Sequence, residues 1–213
     1  MPTTICLIRH GQTDWNKEKI FRGRADVPLN ERGRAEARAL SLHLEHVGAT
    51  ACYSSPLSRA VETAEIVAAP HSLSVKLEEG LTDMDYGKWQ GLPDADAASR
   101  FPEMYHQWHE TPHRVKFPNG ESLAMVKKRV MNSLSLIVSS HPETTVFVTA
   151  HRVVCKVVMC VSLGLPSSAF WRIRQDNCAF NVIEFSEDNS TVALMNDTCH
   201  MSSAGIAPTL ADF

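Results

Sequence analysis

The chain has 213 residues, 44% hydrophobic and 21% charged, the balance of an ordinary globular protein with room for one sizeable core. Its 21 basic and 24 acidic residues leave a net charge of −3, which excludes a global field drawing nucleic acid or an anionic membrane surface. No apolar run approaches the ~18–20 residues of a membrane span. The N-terminus enters a strand with no charged leader or cleavage site, and Cys6, Cys52, Cys155, Cys160, Cys178 and Cys199 form no CxxC and no regular framework. A cytoplasmic protein with reduced thiols is expected.

In chain order, Ile5-Cys6-Leu7-Ile8 is the first predicted strand, and it runs straight into Arg9-His10-Gly11. Parallel α/β sheets keep reactive side chains at such strand ends. The stretch to Asn30 carries Lys17, Lys19, Arg22, Gly23 and Arg24 and reads as a basic loop wrapping that end. Asn30 can cap a helix over Glu31 to His46. A second strand covers Ala49 to Tyr53; Ser55 and Pro56 then suit the N-cap and first position of a helix running to about Ala68. Arg59 in its first turn opposes the helix dipole, a conflict that a bound anion would relieve. A third strand begins at Val75 and is expected to end in Leu81 to Gly87. Residues 93–117, aromatic-rich and broken by Pro102 and Pro112, should form short helices over the sheet end. The longest helical pattern opens at Pro118 to Ser122 and reaches Ser140. Thr144 to Thr149 is nearly all apolar, as a central parallel strand should be, with His151 at its end and an apolar helix from Val153 to Leu163 behind it. Asn181 to Phe185 and Val192 to Met195 should pair at an edge around Glu187-Asp188-Asn189-Ser190. The alternation predicts one domain over residues 1–213, a three-layer α/β/α sandwich with a mostly parallel central sheet.

The strand ends thus present Arg9 and His10, Arg59, Asp83 and His151. An uncharged imidazole is a competent nucleophile, and guanidiniums hold phosphate through charge-assisted hydrogen bonds. Arg9-His10-Gly11 followed by Asn16, then Ser55-x-Leu57-x-Arg59-Ala60-x-x-Thr63-Ala64, Gly120-Glu121-Ser122 and His151 resemble the signature of the histidine phosphatase superfamily, also called phosphoglycerate-mutase-like proteins. The likeness covers residues 5–163. It implies that His10 attacks phosphorus to give a phosphohistidine, that Arg9, Arg59 and His151 neutralise the phosphoryl oxygens, and that a carboxylic acid protonates the leaving alkoxide. The acid's position is Asp83, one methylene shorter than the family's usual glutamate; Asp85 is the rival. Asn16, Arg22, Gly23 and His200 are expected on the substrate side. Arg152 stands where the family mostly has glycine, and is either a substrate clamp or an outward-turned side chain. No cofactor is implied: there is no P-loop or dinucleotide glycine pattern, and Pro112 breaks the spacing of His106, His109 and His113 that could suggest a metal.

Mutases of the superfamily retain a bisphosphate intermediate with a long, arginine-paired insertion, for which the segment from Asp83 to Gly120 is too short. A phosphatase is therefore favoured over a cofactor-dependent phosphoglycerate mutase. A silent phospho-ligand binder is a third reading, against which the complete set of nucleophile, acid and cations argues. Pro112 to Phe117, Phe170-Trp171, Asp176-Asn177 and Thr198-Cys199-His200 extend the likeness to bacterial metal-independent phosphoserine phosphatases, although Tyr86 stands where those enzymes have a histidine. The expected protein is a phosphomonoesterase of a small, carboxylate-bearing metabolite such as phosphoserine. Neither nucleic acid nor membrane is an expected partner, and the sequence leaves a homodimer open.

Overall fold

The computed structural model describes residues 1–187 and 189–207; Asp188 of the predicted edge turn and the end of the predicted domain, 208–213, lie outside the described residues. The strands are β1 (Thr3–Arg9), β2 (Ala49–Ser54), β3 (Val75–Leu77), β4 (Thr145–Ala150), β5 (Phe180–Phe185) and β6 (Ser190–Asp197). They make one sheet in the order β3-β2-β4-β1-β5-β6. β1, β2, β3 and β4 pair in parallel, whereas β5 runs antiparallel to both β1 and β6.

The apolar runs in β1 and β4 are explained by burial on both faces. Ile5, Leu7, Val146 and Val148 pack on the side of α6 (Leu123–Ser140) and α7 (Arg152–Ser162). Their alternates Cys6, Ile8 and Phe147 pack against α2 (Glu31–Leu44) and α3 (Ser58–Ala68). The three layers and the mostly parallel sheet are those expected, and each such aliphatic side chain contributes roughly 1.5–3 kcal/mol. No helix among the described residues is long and apolar enough to cross a membrane. Cys6, Cys52, Cys155, Cys160 and Cys178 are buried free thiols, whereas Cys199 is exposed.

Over the carboxyl end of the sheet lie α4 (Asp94–Arg100) and α5 (Pro102–Glu110). Beneath them Phe21, Tyr86, Trp89 and Phe117 meet edge to face at 5.0–5.2 Å between ring centres, a geometry that suits aromatic quadrupoles. Two predicted boundaries move. The third strand stops at Leu77, and a single 3₁₀ turn, Glu79–Leu81, follows. The carbonyls of Gly80 and Thr82 are taken by the Arg129 guanidinium of α6, which removes them from any ladder. The helix after β2 starts at Ser58 with Leu57 as its N-cap, and the Ser55 hydroxyl accepts from Leu57 N at 3.3 Å while it also meets the His151 ring at 2.7 Å. The short helices α1 (Asp14–Lys17) and α8 (Cys199–Ser203) are too brief to leave a periodic pattern.

Candidate active site

Strand register delivers the site. Arg9 pairs with Ala150 across β1 and β4, and Ser54 pairs with Thr149 across β2 and β4, so three strands end level. His10 N donates to Ala150 O at 3.0 Å and Ser55 N to Thr149 O at 3.0 Å, which fixes the first residue beyond each strand. Arg9, His10, Arg59 and His151 converge there, all buried. Gly11 lets the chain leave β1: a Cβ on it would stand 2.5 Å from Gly33 O, so the loop lies directly against the first turn of α2. There Glu36 accepts from Gln12 N at 2.9 Å.

The protonation of His10 follows from one contact. Its Nδ1 lies 2.6 Å from Gly11 O, and a carbonyl can only accept, so Nδ1 carries the hydrogen and Nε2 keeps its lone pair. Burial holds the His10 pKa well below the ordinary value; Arg59, Arg9 and Arg22 push the same way, and the Gly11 bond opposes them only in part. His151, 5.2 Å away between ring centres, is likewise held well below the ordinary range by burial and then by Arg59. Both rings are neutral near pH 7. His151 Nε2 is 2.7 Å from Ser55 Oγ, while its buried Nδ1 has no hydrogen-bond partner among the described residues.

The arginines are fixed by backbone. Arg9 donates to Gln175 O at 2.6 Å, and Arg59 donates to Ala25 O and Gly23 O at 2.8 Å each. Gly23 offers that carbonyl from a left-handed conformation, φ +51°, where a side chain would be strained. Burial draws the Arg59 pKa down to about 10, with Asp83 opposing and Arg22 adding to the pull.

Asp83 is brought to this group, with Oδ2 at 3.4 Å from Arg59 Nη2 and 3.8 Å from His151 Nδ1. Asp85 is not: its Oδ1 accepts from Gly87 N at 2.8 Å in a local turn, and its other oxygen faces Arg24 at 4.0 Å. The loop between them is stapled from α6. Arg129 donates to Gly80 O at 2.8 Å, Thr82 O at 2.5 Å and Asp83 O at 3.0 Å, and it grips Glu121 through Nε and Nη2 at 2.8 and 2.9 Å. Glu121 also accepts from Asp85 N at 2.9 Å. Burial raises the Glu121 pKa, but the Arg129 hydrogen bond and the Asp85 amide outweigh it and leave the carboxyl below its usual range.

Of the residues expected on the substrate side, Arg22 is buried and lines a small cavity with Phe21, Asp83, Tyr86 and Arg152. Arg152 therefore turns inward, its guanidinium 5.6 Å from the centre of the Trp171 ring. Asn16 is close behind His10, but its Oδ1 accepts from Thr13 N and Oγ1 at 2.9 Å, closing a capping box on α1. His200 is not brought to the site: it is buried between His43 and Phe180, 5.9 and 6.2 Å away, because α8 packs on α2. Ser55, Glu121 and Arg129 enter as supports that the sequence signalled only as parts of a motif or of a helix. So do Gln175 and Asn177, the latter donating to His10 O at 3.2 Å. Asp176-Asn177 was visible as part of the likeness, whereas Gln175 acts through its backbone and left no signal. Among the described residues no three His, Cys, Asp or Glu side chains converge as a metal would require.

Two guanidiniums and an inward imidazole around a neutral imidazole with a bare nitrogen, and a carboxyl at 3.4 Å, suit in-line transfer of a phosphoryl group. Comparison with known proteins agrees. The profile of the histidine phosphatase superfamily (branch 1) matches residues 5–198. Phosphoserine phosphatase 1 of Hydrogenobacter thermophilus is 34% identical over 197 residues, covering 92% of this chain and 93% of its own. The structure of Bacillus stearothermophilus YhfR superposes with a TM-score of 0.90 at 32% identity, covering 93% of this chain and 99% of that one. A mycobacterial glucosyl-3-phosphoglycerate phosphatase solved with VO3 gives 0.84 at 26% identity over 91% of this chain and 98% of its own. The chain belongs to the histidine phosphatase superfamily and is a phosphatase.

Proposed function

We propose that the protein is a cytoplasmic, metal-independent phosphomonoesterase of small phosphorylated metabolites that works through a phosphohistidine on His10. The observation that carries this is the 2.6 Å contact from His10 Nδ1 to Gly11 O, which leaves Nε2 as the nucleophilic atom. Nε2 attacks phosphorus and the ester P–O bond breaks. Arg9, Arg59 and His151 take up charge on the three equatorial oxygens. Asp83, as the carboxylic acid, gives its proton to the departing alkoxide. Asp83 then takes a proton from water, the resulting hydroxide attacks phosphorus, and the P–N bond breaks to restore neutral His10.

Residues 1–213 are taken as one catalytic domain, a reading supported by the single sheet and by the family match over residues 5–198. The cytoplasmic location is supported by five buried, free thiols. Phosphoserine is the first substrate to try, given the relative from Hydrogenobacter thermophilus. Rapid quenching with radiolabelled phosphoserine or p-nitrophenyl phosphate should leave acid-labile, base-stable label on His10. Label on Ser55 or on a cysteine would sink the mechanism. Prolonged dialysis against EDTA should leave the rate unchanged, and loss of activity restored by magnesium or zinc would overturn the metal-independent reading.

A further inference from the structure

We infer that the cavity beside Asp83 selects phosphate esters whose alcohol carries a carboxylate, and that Arg152 is the residue that reads it. This rests on the proposed function, because Asp83 links the two places. Its Oδ2 reaches Arg59 and His151 among the phosphoryl-binding groups, and the same side chain lines the cavity with Arg22, Tyr86 and Arg152. A carboxyl that protonates the ester oxygen must lie against the alcohol. The cavity it lines holds only about 10 Å³, so the alcohol lies against its lining rather than within it.

That cavity is cationic, with two guanidiniums to one carboxylate. Arg22 belongs electrostatically to the phosphoryl side, since its charge bears on His10, Arg59 and His151. Arg152 shares Tyr86 with Arg22 but bears also on His109, and its guanidinium beside the Trp171 ring places it toward the organic end. Its position is held. The planar guanidinium lies 5.6 Å from the Trp171 ring centre, and Trp171 is locked by donating from Nε1 to Trp108 O at 2.6 Å. Lys156, one turn along α7, stands 4.3 Å from the centre of the same ring. Like charges four residues apart on a helix repel, and Arg152 also opposes the dipole in the first turn of α7. An anion next to Arg152 offsets both costs.

The Tyr86 hydroxyl takes a hydrogen bond from Arg152, and since a guanidinium only donates, the phenol accepts and keeps its own hydrogen to give. Burial pushes Tyr86 up to about 12, so that hydrogen stays in place at neutral pH. A planar fork beside a neutral donor matches a carboxylate. A neutral alcohol would dehydrate the guanidiniums and give nothing back.

The test is kcat/KM for phosphoserine and for phosphoethanolamine, which differ only by the carboxylate, with p-nitrophenyl phosphate as a monitor, in the full chain and in Arg152→Met and Arg152→Lys. The wild type should prefer phosphoserine by about 10–100-fold. Arg152→Met should erase most of that ratio while costing p-nitrophenyl phosphate far less, and Arg152→Lys, which keeps the charge but loses the fork, should fall between. A wild-type ratio near one, an equal loss on all three esters, or an unchanged ratio in both variants would overturn the inference. If Arg152→Met lacks the native circular dichroism spectrum, the ratio in Arg152→Lys decides alone. No turnover of any ester by the wild type would overturn the proposed function, and the inference with it.

Discussion

The groups proposed to bind the phosphoryl oxygens and the wall that carries Asp83 meet within 4 Å but are built differently. His10, Arg59 and His151 each follow a strand of the central sheet, and ladder bonds and backbone carbonyls hold them. Asp83 follows no strand. It sits on a loop whose position is set by one arginine from the middle of α6 and one glutamate just before that helix. The first region inherits its geometry from the fold; the second depends on a side-chain staple that one substitution can remove. Charge stabilisation should therefore survive changes that ruin proton transfer.

The largest effect tests the first region. His10→Ala should cost on the order of 10⁴-fold or more in kcat on every ester, whatever the leaving group, because a removed nucleophile is not replaced. Unchanged circular dichroism would confirm an intact fold, and residual turnover within tenfold of wild type would break the assignment. Asp83→Asn comes next. It should cost about 10²–10⁴-fold on an alkyl phosphate and much less on p-nitrophenyl phosphate, whose leaving group needs no proton. Asp85→Asn should show no such leaving-group dependence; if it alone does, the acid is Asp85.

Arg129→Lys sharpens the contrast. Lysine keeps the charge but cannot reach three carbonyls and a carboxylate together, so Asp83 should drift, with a loss of roughly 10–100-fold that again depends on the leaving group. An equal loss on both esters would mean that Arg129 supports the phosphoryl-binding groups too.

The smallest effect lies outside both regions. His200 is held near pKa 4 by burial and then by His43, below its ordinary 6.5. As pH falls, the unfolded chain takes the proton first, so the stability present above about pH 6.5 is lost on the way down to 4. His200→Phe should keep full phosphatase activity and lose less stability across that window, read from urea midpoints. A raised KM for substrate would return His200 to the site.

The same division explains what could be read from the chain. Apolar runs such as Ile5 to Ile8 and Val146 to Val148 reveal buried parallel strands, and the residue after each is at once a site candidate. Asn30 announces a helix start that the structure has, by accepting from Gly33 N, whereas the opening expected over Pro118 to Ser122 resolves to Ser122 as the cap, accepting from Met125 N. The loop over Asp83 was misread as strand because its carbonyls answer to Arg129, 46 residues further on. Ser55 is legible only in part: its hydroxyl accepts from Leu57 N beside the helix start, a local signal, but the imidazole it also meets is 96 residues away. Arg152 could not be oriented from sequence, since the ring that holds it belongs to a later segment.

The reversed strand β5 has a consequence for the order in which the protein matures. Because β5 runs antiparallel, it starts beside the site end of β1, Phe180 against Ile8, so the residues just before it lie there and Gln175, 166 residues beyond Arg9, supplies the carbonyl that fixes the Arg9 guanidinium. A nascent chain emerging from the ribosome has its whole signature, from Arg9 to His151, in hand well before that carbonyl exists. Activity should therefore arise late in synthesis and all at once, when the last third of the chain closes over the first ten residues.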